Sequence, residues 1–268
     1  MQRTIFIGDV HGCSVELAQL LSDLQPSPGK DRVIFVGDLV DKGPDSLKVL
    51  RDVQRLLRTL PGSVCVSGNH EEKASRFAKA GKFVEPWCEE ATPEDWTFID
   101  SMPLTWYDAK LGIRVVHGGI FPALLEKHPD AFEKIEARGE NWRKGGGKVM
   151  DRSRRMLRIR YVGGAVRMET GEKPGPGDML ELGANKEGDP FWADVYDGSQ
   201  GFVVYGHSPW LDGMVRVNSD RAIGIDTACV FGGRLTAYVV EVLEDGSEIT
   251  EVVQVEAKRQ YAKPMEED

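Results

Sequence analysis

Short runs of β-branched and other apolar residues recur along the chain, at 4–7, 33–36, 64–66, 113–116, 202–205 and 222–225, mostly bounded by glycine. Runs this short and continuous predict buried strands. Between the first two, Leu17, Leu20, Leu21 and Leu24 fall at helical spacing and Pro26 closes the segment, which predicts a helix over 14–24. Residues 45–60 repeat the pattern, with Leu47, Leu50, Val53, Leu56, Leu57 and Leu60 on one face and Pro61-Gly62 as the stop. The N-terminal third therefore reads βαβαβ. Near the other end, 235–242 and 249–255 flank Asp245-Gly246, the signature of a final hairpin.

The middle differs in kind. Residues 139–189 hold Gly145-Gly146-Gly147, Gly163-Gly164 and Pro174-Gly175-Pro176-Gly177 with weak periodicity, and this predicts an irregular, lid-like insertion. No internal repeat or low-complexity tract stands out. At 268 residues, the chain suits one catalytic domain over 1–268 that carries this insertion.

Composition narrows the classes. Hydrophobic residues make up 41%, and no apolar stretch approaches the roughly 20 residues of a membrane span. The first residues run straight into a strand without the long apolar core of a secretory signal, so a cytoplasmic location is the expectation. A formal charge of −9 disfavours duplex DNA and anionic membranes as partners. A phosphate-bearing substrate must then be drawn by local positive charge, which bound cations supply. The cysteines Cys13, Cys65, Cys88 and Cys229 are scattered, and reduced thiols are expected. Oligomeric state stays open.

Chemistry gathers just beyond five of the strand runs. Gly8-Asp9-Val10-His11-Gly12 follows the first, Gly37-Asp38-Leu39-Val40-Asp41-Lys42-Gly43 the second and Gly68-Asn69-His70-Glu71 the third, and His117-Gly118-Gly119 and Gly206-His207 come later. Of five histidines in the chain, four occupy these positions. Loops after strand ends converge on one crevice of a sheet, and glycine permits the close backbone approach an ion site demands. Taken singly, an aspartate after glycine is a turn residue. Five groups sharing one topological position are harder to explain that way. Carboxylate, amide and imidazole donors together suit manganese, iron, cobalt, nickel or zinc rather than an all-oxygen calcium cage.

These blocks resemble the calcineurin-like metallophosphoesterase signature in the form found in the phosphoprotein phosphatase superfamily: GD-x-HG, GD-x-VD-[RK]-G, GNHE and two later histidines, over residues 8–207. The stretches GDVHGCSVELAQLL, GDLVDKGPDSLKVL and GIDTACVFGGRL look most like the bacterial symmetrical diadenosine tetraphosphatases. The resemblance implies an α/β four-layer sandwich of two mixed β-sheets flanked by helices. It implies one metal ion on Asp9, His11 and Asp38 and a second on Asp38, Asn69, His117 and His207, with manganese the leading candidate. His70 would protonate the leaving oxygen and Asp41 would orient it. Lys42 stands where the superfamily more often has arginine, and supplies a point charge in place of a bidentate fork.

Inside the insertion, Arg152, Arg154, Arg155, Arg158, Arg160 and Arg167 form a basic run, either a solvated helix face or a polyphosphate clamp. Its Arg-Met stretch loosely resembles the lid of the dinucleotide hydrolases, and this nominates Arg158 and Arg167 for substrate binding. The expected reaction is symmetrical hydrolysis of diadenosine tetraphosphate to ADP, with other dinucleoside polyphosphates and capped RNA 5′ ends as further substrates. The alternatives are a metal-dependent protein serine/threonine (or tyrosine) phosphatase and a catalytically silent metal-binding regulator.

Overall fold

The computed structural model describes residues 2–144, 147–163, 179–180 and 188–264. The N-terminal part is β1 (Gln2–Ile7), α1 (Ser14–Leu24), β2 (Asp31–Phe35), α2 (Ser46–Thr59), β3 (Val64–Cys65), α3 (Asn69–Lys79), α4 (Trp87–Glu90) and α5 (Pro93–Ser101). It continues through β4 (Thr105–Asp108), β5 (Ile113–Val116), α6 (Pro122–Lys127), α7 (Ala131–Glu136), α8 (Lys148–Arg155), β6 (Tyr161–Val162) and β7 (Met179–Leu180). The last strands are β8 (Phe202–Tyr205), β9 (Arg216–Asn218), β10 (Ala222–Gly224), β11 (Arg234–Val242) and β12 (Glu248–Glu256).

Two five-stranded mixed sheets form, ordered β12-β11-β1-β2-β3 and β4-β5-β8-β10-β9. Strands β1, β2 and β3 run parallel, as do β5, β8 and β10. Side-chain alternation sorts the apolar residues of β1 to opposite faces. Phe6 joins Ile34, Val36, Val115, Val204 and Ile223 in a core between the two sheets. Ile5 and Ile7 pack with Leu17 and Leu20 of α1 and Val49, Leu50 and Val53 of α2 on the outer face. The second sheet buries Val203, Tyr205 and Ala222 against Leu124, Phe132 and Ile135 of α6 and α7 and Met150 of α8. Helices, sheet, sheet and helices thus stack as the four layers expected.

The region predicted as irregular holds more structure than its glycines suggest. Trp142, in a 3₁₀ turn at Gly139–Arg143, is fully buried and donates its indole N–H to Met102 O at 2.8 Å. Met156, Leu157 and Ile159 are buried in the same cluster. Residues 164–178 and 181–187, Arg167 among them, lie outside the described residues. Among the described residues no helix is long and apolar enough to cross a membrane.

Candidate metal centre and catalytic pocket

All six parallel strands end at one edge, and their exits carry Asp9 and His11 (after β1), Asp38 (β2), Asn69 and His70 (β3), His117 (β5), His207 (β8) and Asp226 (β10). The first five of these side chains come from one sheet's strands and His117, His207 and Asp226 from the other's, so the site spans the seam of the sandwich. Six non-glycine residues in these loops hold positive φ: His11 (46°), Asp38 (51°), Asp41 (70°), Lys42 (68°), His207 (66°) and Ala228 (62°). Left-handed backbone costs an L-residue of order 1 kcal/mol, and such strain concentrates where side chains must be aimed.

Asp38 is the centre of the arrangement. Its Oδ1 accepts the His70 backbone N–H at 3.0 Å, and its Oδ2 lies 3.2 Å from His117 Nε2, 3.6 Å from His11 Nε2 and 3.9 Å from His70 Nε2. Burial alone would raise its pKa, but the imidazoles of His117 and His70 outweigh that and hold it well below the usual carboxylate value. His117 Nε2 also faces Asn69 Oδ1 at 3.0 Å, and Asp38, His117 and His207 offer donor atoms within 4.8 Å of one another.

The tautomers follow from the partners. His11 Nδ1 lies 2.9 Å from Val40 O, and His117 Nδ1 lies 2.9 Å from Val36 O. A carbonyl only accepts, so both Nδ1 atoms carry hydrogen and both Nε2 atoms point into the site. Around His117 Nε2 stand two oxygen acceptors. Although burial opposes its charge, the adjacent Asp38 raises the His117 pKa to about 9. Burial and Lys42 push His11 well below its ordinary value, and burial with His117 does the same to His207.

Several features fit divalent cations. Asp9 is buried, its Oδ2 accepts the His207 backbone N–H at 3.0 Å, and its Oδ1 has no hydrogen-bond partner among the described residues. Burial and the nearby Asp226 raise its pKa well above the carboxylate norm, an arrangement costly for protein alone and relieved by positive charge. The surrounding glycines leave room for these donors: a Cβ at Gly68 would sit 2.1 Å from Asp38 Oδ1, and one at Gly206 would sit 2.0 Å from Asp9 Oδ1.

His70 is held separately. Its Nδ1 lies 2.7 Å from Asp41 Oδ2, while Asp41 Oδ1 accepts the Trp87 indole N–H at 2.7 Å. Asp41 also donates its backbone N–H to Ser46 Oγ. The chain Trp87, Asp41, His70 therefore fixes the imidazole with Nε2 toward Asp38. Lys42 Nζ lies 3.0 Å from His11 Nε2 and 5.2 Å from the centre of the Phe231 ring.

Three residues with no assigned role in the sequence reading belong here. Buried Glu71 accepts four backbone N–H groups, from Asp38, Leu39, Val40 and Gly68, and so ties β2's exit loop to the start of α3. Burial raises its pKa. Asp226 is buried, lines the cavity and has its pKa raised by burial. It follows the strand run at 222–225, so the strand-end rule applied to a sixth run finds it. Trp87 had no sequence signal.

A cavity of ≈ 810 Å³ opens over this cluster, lined on the catalytic side by Asp38, Asn69, His70, His207 and Asp226 and flanked by Lys42 and Arg160. The arginines divide. Arg160 donates to His207 O at 3.1 Å, whereas Arg158 pairs with Glu72 at 3.0 Å and reaches Asn69 O at 3.4 Å. Arg158 thus sits by α3, and among the described residues Arg160 is the arginine on the cavity wall.

Strand-end aspartates and histidines shared by two stacked mixed sheets define a metallophosphoesterase. The calcineurin-like phosphoesterase family model matches residues 2–239; the chain belongs to this family and is a metal-dependent phosphoester and anhydride hydrolase. It is 30% identical to the asymmetrical bis(5′-nucleosyl)-tetraphosphatase PrpE of Oceanobacillus iheyensis, over 87% of this chain and 86% of that protein. It is 29% identical to the symmetrical bis(5′-nucleosyl)-tetraphosphatase of Pseudomonas putida, over 89% and 90% respectively. A solved structure provisionally assigned as a diadenosine tetraphosphatase superposes with TM-score 0.66 at 26% identity, covering 94% of this chain and 93% of that one.

Proposed function

We propose that the chain hydrolyses diadenosine tetraphosphate at its central bridge, releasing two ADP, and cleaves the same type of anhydride in related dinucleoside polyphosphates, with two divalent ions held by the strand-end cluster. The observation that carries the reading is the convergence of His11, Asp38, Asn69, His117 and His207 at one cavity, with Asp9 accepting the His207 N–H, beside a His70 braced by Asp41. Tetraphosphatase relatives at about 29–30% identity over most of both chains support the substrate class.

Asp9, His11 and Asp38 would hold one ion, and Asp38, Asn69, His117 and His207 the other. When bound, such a pair supplies an activated water at neutral pH and neutralises the phosphoryl oxygens. Manganese suits the mixed oxygen and nitrogen donors, and cobalt, iron, nickel and zinc share that tolerance. Water oxygen bonds to phosphorus as the bridging P–O bond breaks. The leaving oxygen takes its proton from His70 Nε2, and Asp41 stabilises the imidazolium through Nδ1. Lys42 and Arg160 place positive charge on the walls where the polyphosphate passes. RNA 5′ ends capped by a dinucleoside polyphosphate present the same anhydride.

Product analysis tests the reading. Incubating the purified chain with manganese and diadenosine tetraphosphate should give two ADP. AMP plus ATP would place the cut asymmetrically, and equal or faster turnover of a phosphopeptide would move the assignment to a protein phosphatase.

A further inference from the structure

The cavity has a second wall that phosphoryl chemistry does not explain. Besides the catalytic cluster the cavity's lining has an apolar part, built from Pro209 and Leu211 after β8, Phe231 after β10, and Ala262 and Pro264 in the segment after β12. Leu211 is 60% exposed and so presents apolar surface to whatever enters the cavity. Gln260 and Lys263 line the same side.

The segment after β12 is anchored rather than draped. Ala257 donates its N–H to Gly233 O at 2.9 Å, and Tyr261 and Ala262 both donate to Val230 O at 3.0 Å. Buried Glu16 of α1 reaches up to it, its Oε1 accepting the Lys258 N–H and the Tyr261 hydroxyl, each at 2.8 Å. A buried carboxylate thereby fixes where residues 258–264 stand relative to the catalytic cluster. Tyr261 is turned inward to Glu16, while Gln260, Ala262, Lys263 and Pro264 border the cavity.

We propose that this wall is a nucleoside subsite, with a base seated against Leu211, Phe231 and Pro264 and Lys263 paired with the phosphate adjoining that nucleoside. The inference rests on the dinucleoside polyphosphate reading and deepens it. Apolar lining beside the cations Lys42, Arg160 and Lys263, in the same cavity as the phosphate-cleaving cluster, matches a ligand that is apolar at its end and polyanionic toward its middle. Ligand sites combine apolar walls with a few placed polar groups in this manner.

The test uses the full-length manganese-loaded chain and p-nitrophenyl phosphate as reporter, with ADP and orthophosphate as competitive inhibitors. Leu211→Asp and Lys263→Ala change exposed side chains, so folding is preserved. Each should raise the inhibition constant of ADP by about tenfold, the worth of one charge-assisted contact, while that of orthophosphate moves less than about twofold. Lys263→Arg should restore ADP inhibition. If ADP and orthophosphate shift together, or neither shifts, the subsite is overturned. Turnover of diadenosine tetraphosphate by the unaltered chain is scored separately: its absence sinks the substrate reading, and the ADP-against-orthophosphate split still decides the subsite.

Discussion

Asp38 earns its central position through a division of labour between its two oxygens. One is spent on the His70 backbone N–H, which leaves the other facing three imidazoles. His70 is the neighbour with its own brace, and its ring is oriented by a carboxylate that accepts an indole proton on its far oxygen. If His70 donates the proton to the leaving group, His70→Ala lowers kcat by roughly 10² to 10⁴ with metal content unchanged, as steady-state kinetics and elemental analysis on one preparation would show. Trp87→Phe removes a single hydrogen bond to Asp41, and kcat should fall severalfold, on the order of the 0.5–1.5 kcal/mol such a bond contributes, with KM unmoved. These aspartates and histidines were legible in the sequence because each stands directly after an apolar run. Trp87 was not, since it lies 46 residues from Asp41 and only the packing of α4 brings it there. Glu71 was passed over because a buried carboxylate that binds backbone amides leaves no spacing to read.

Among the elements, the loops after the strands hold the strain. Left-handed backbone at His11, Asp38, Asp41, Lys42 and His207 needs compensation, and at the loop after β2 Glu71 contributes by accepting the N–H groups of Asp38, Leu39 and Val40 as well as that of Gly68. Glu71→Gln replaces one acceptor oxygen by an NH₂ facing those donors. Loss of stability of about 2–4 kcal/mol is expected, from more than one unsatisfied buried group, and urea denaturation would measure it. Gly206→Ala drives a methyl to within 2.0 Å of Asp9 Oδ1. Its expected outcome is metal affinity weakened at least tenfold with the fold retained, read by metal titration and circular dichroism. The helices α1 and α2 were legible from leucine spacing: Leu17, Leu20, Leu24, Leu50 and Val53 are buried as it predicted, whereas Leu21, Leu47, Leu56 and Leu57 are only partly buried and Val49, which the spacing did not single out, is buried. The 139–163 region was not, because its burial rests on isolated side chains such as Trp142 and Ile159 in short turns and carries no period.

For the molecule as a whole, the cluster joins two sheets. Asp9, His11, Asp38 and Asn69 leave strands of one sheet, and His117 and His207 leave strands of the other. Ions gripped from both sides stabilise the folded state by mass action, about 2.7 kcal/mol at a hundredfold excess over Kd. Chelation should therefore lower the melting temperature as well as abolish hydrolysis, and restored manganese should recover both; an unchanged melting temperature would mean that the folded chain holds ions no more tightly than the unfolded one. Two layers of helix around two sheets were implied by the family resemblance; the order of apolar runs alone showed the N-terminal βαβαβ and the final hairpin, and the pairing of runs into sheets could not be read, since strands distant in sequence, such as β1 and β11, become neighbours. The most direct test is elemental analysis of manganese-loaded chain beside Asp38→Asn. Two ions per active chain, falling below one in the variant, is the predicted result. Two ions retained by Asp38→Asn, or an active chain that holds none, would contradict the shared centre.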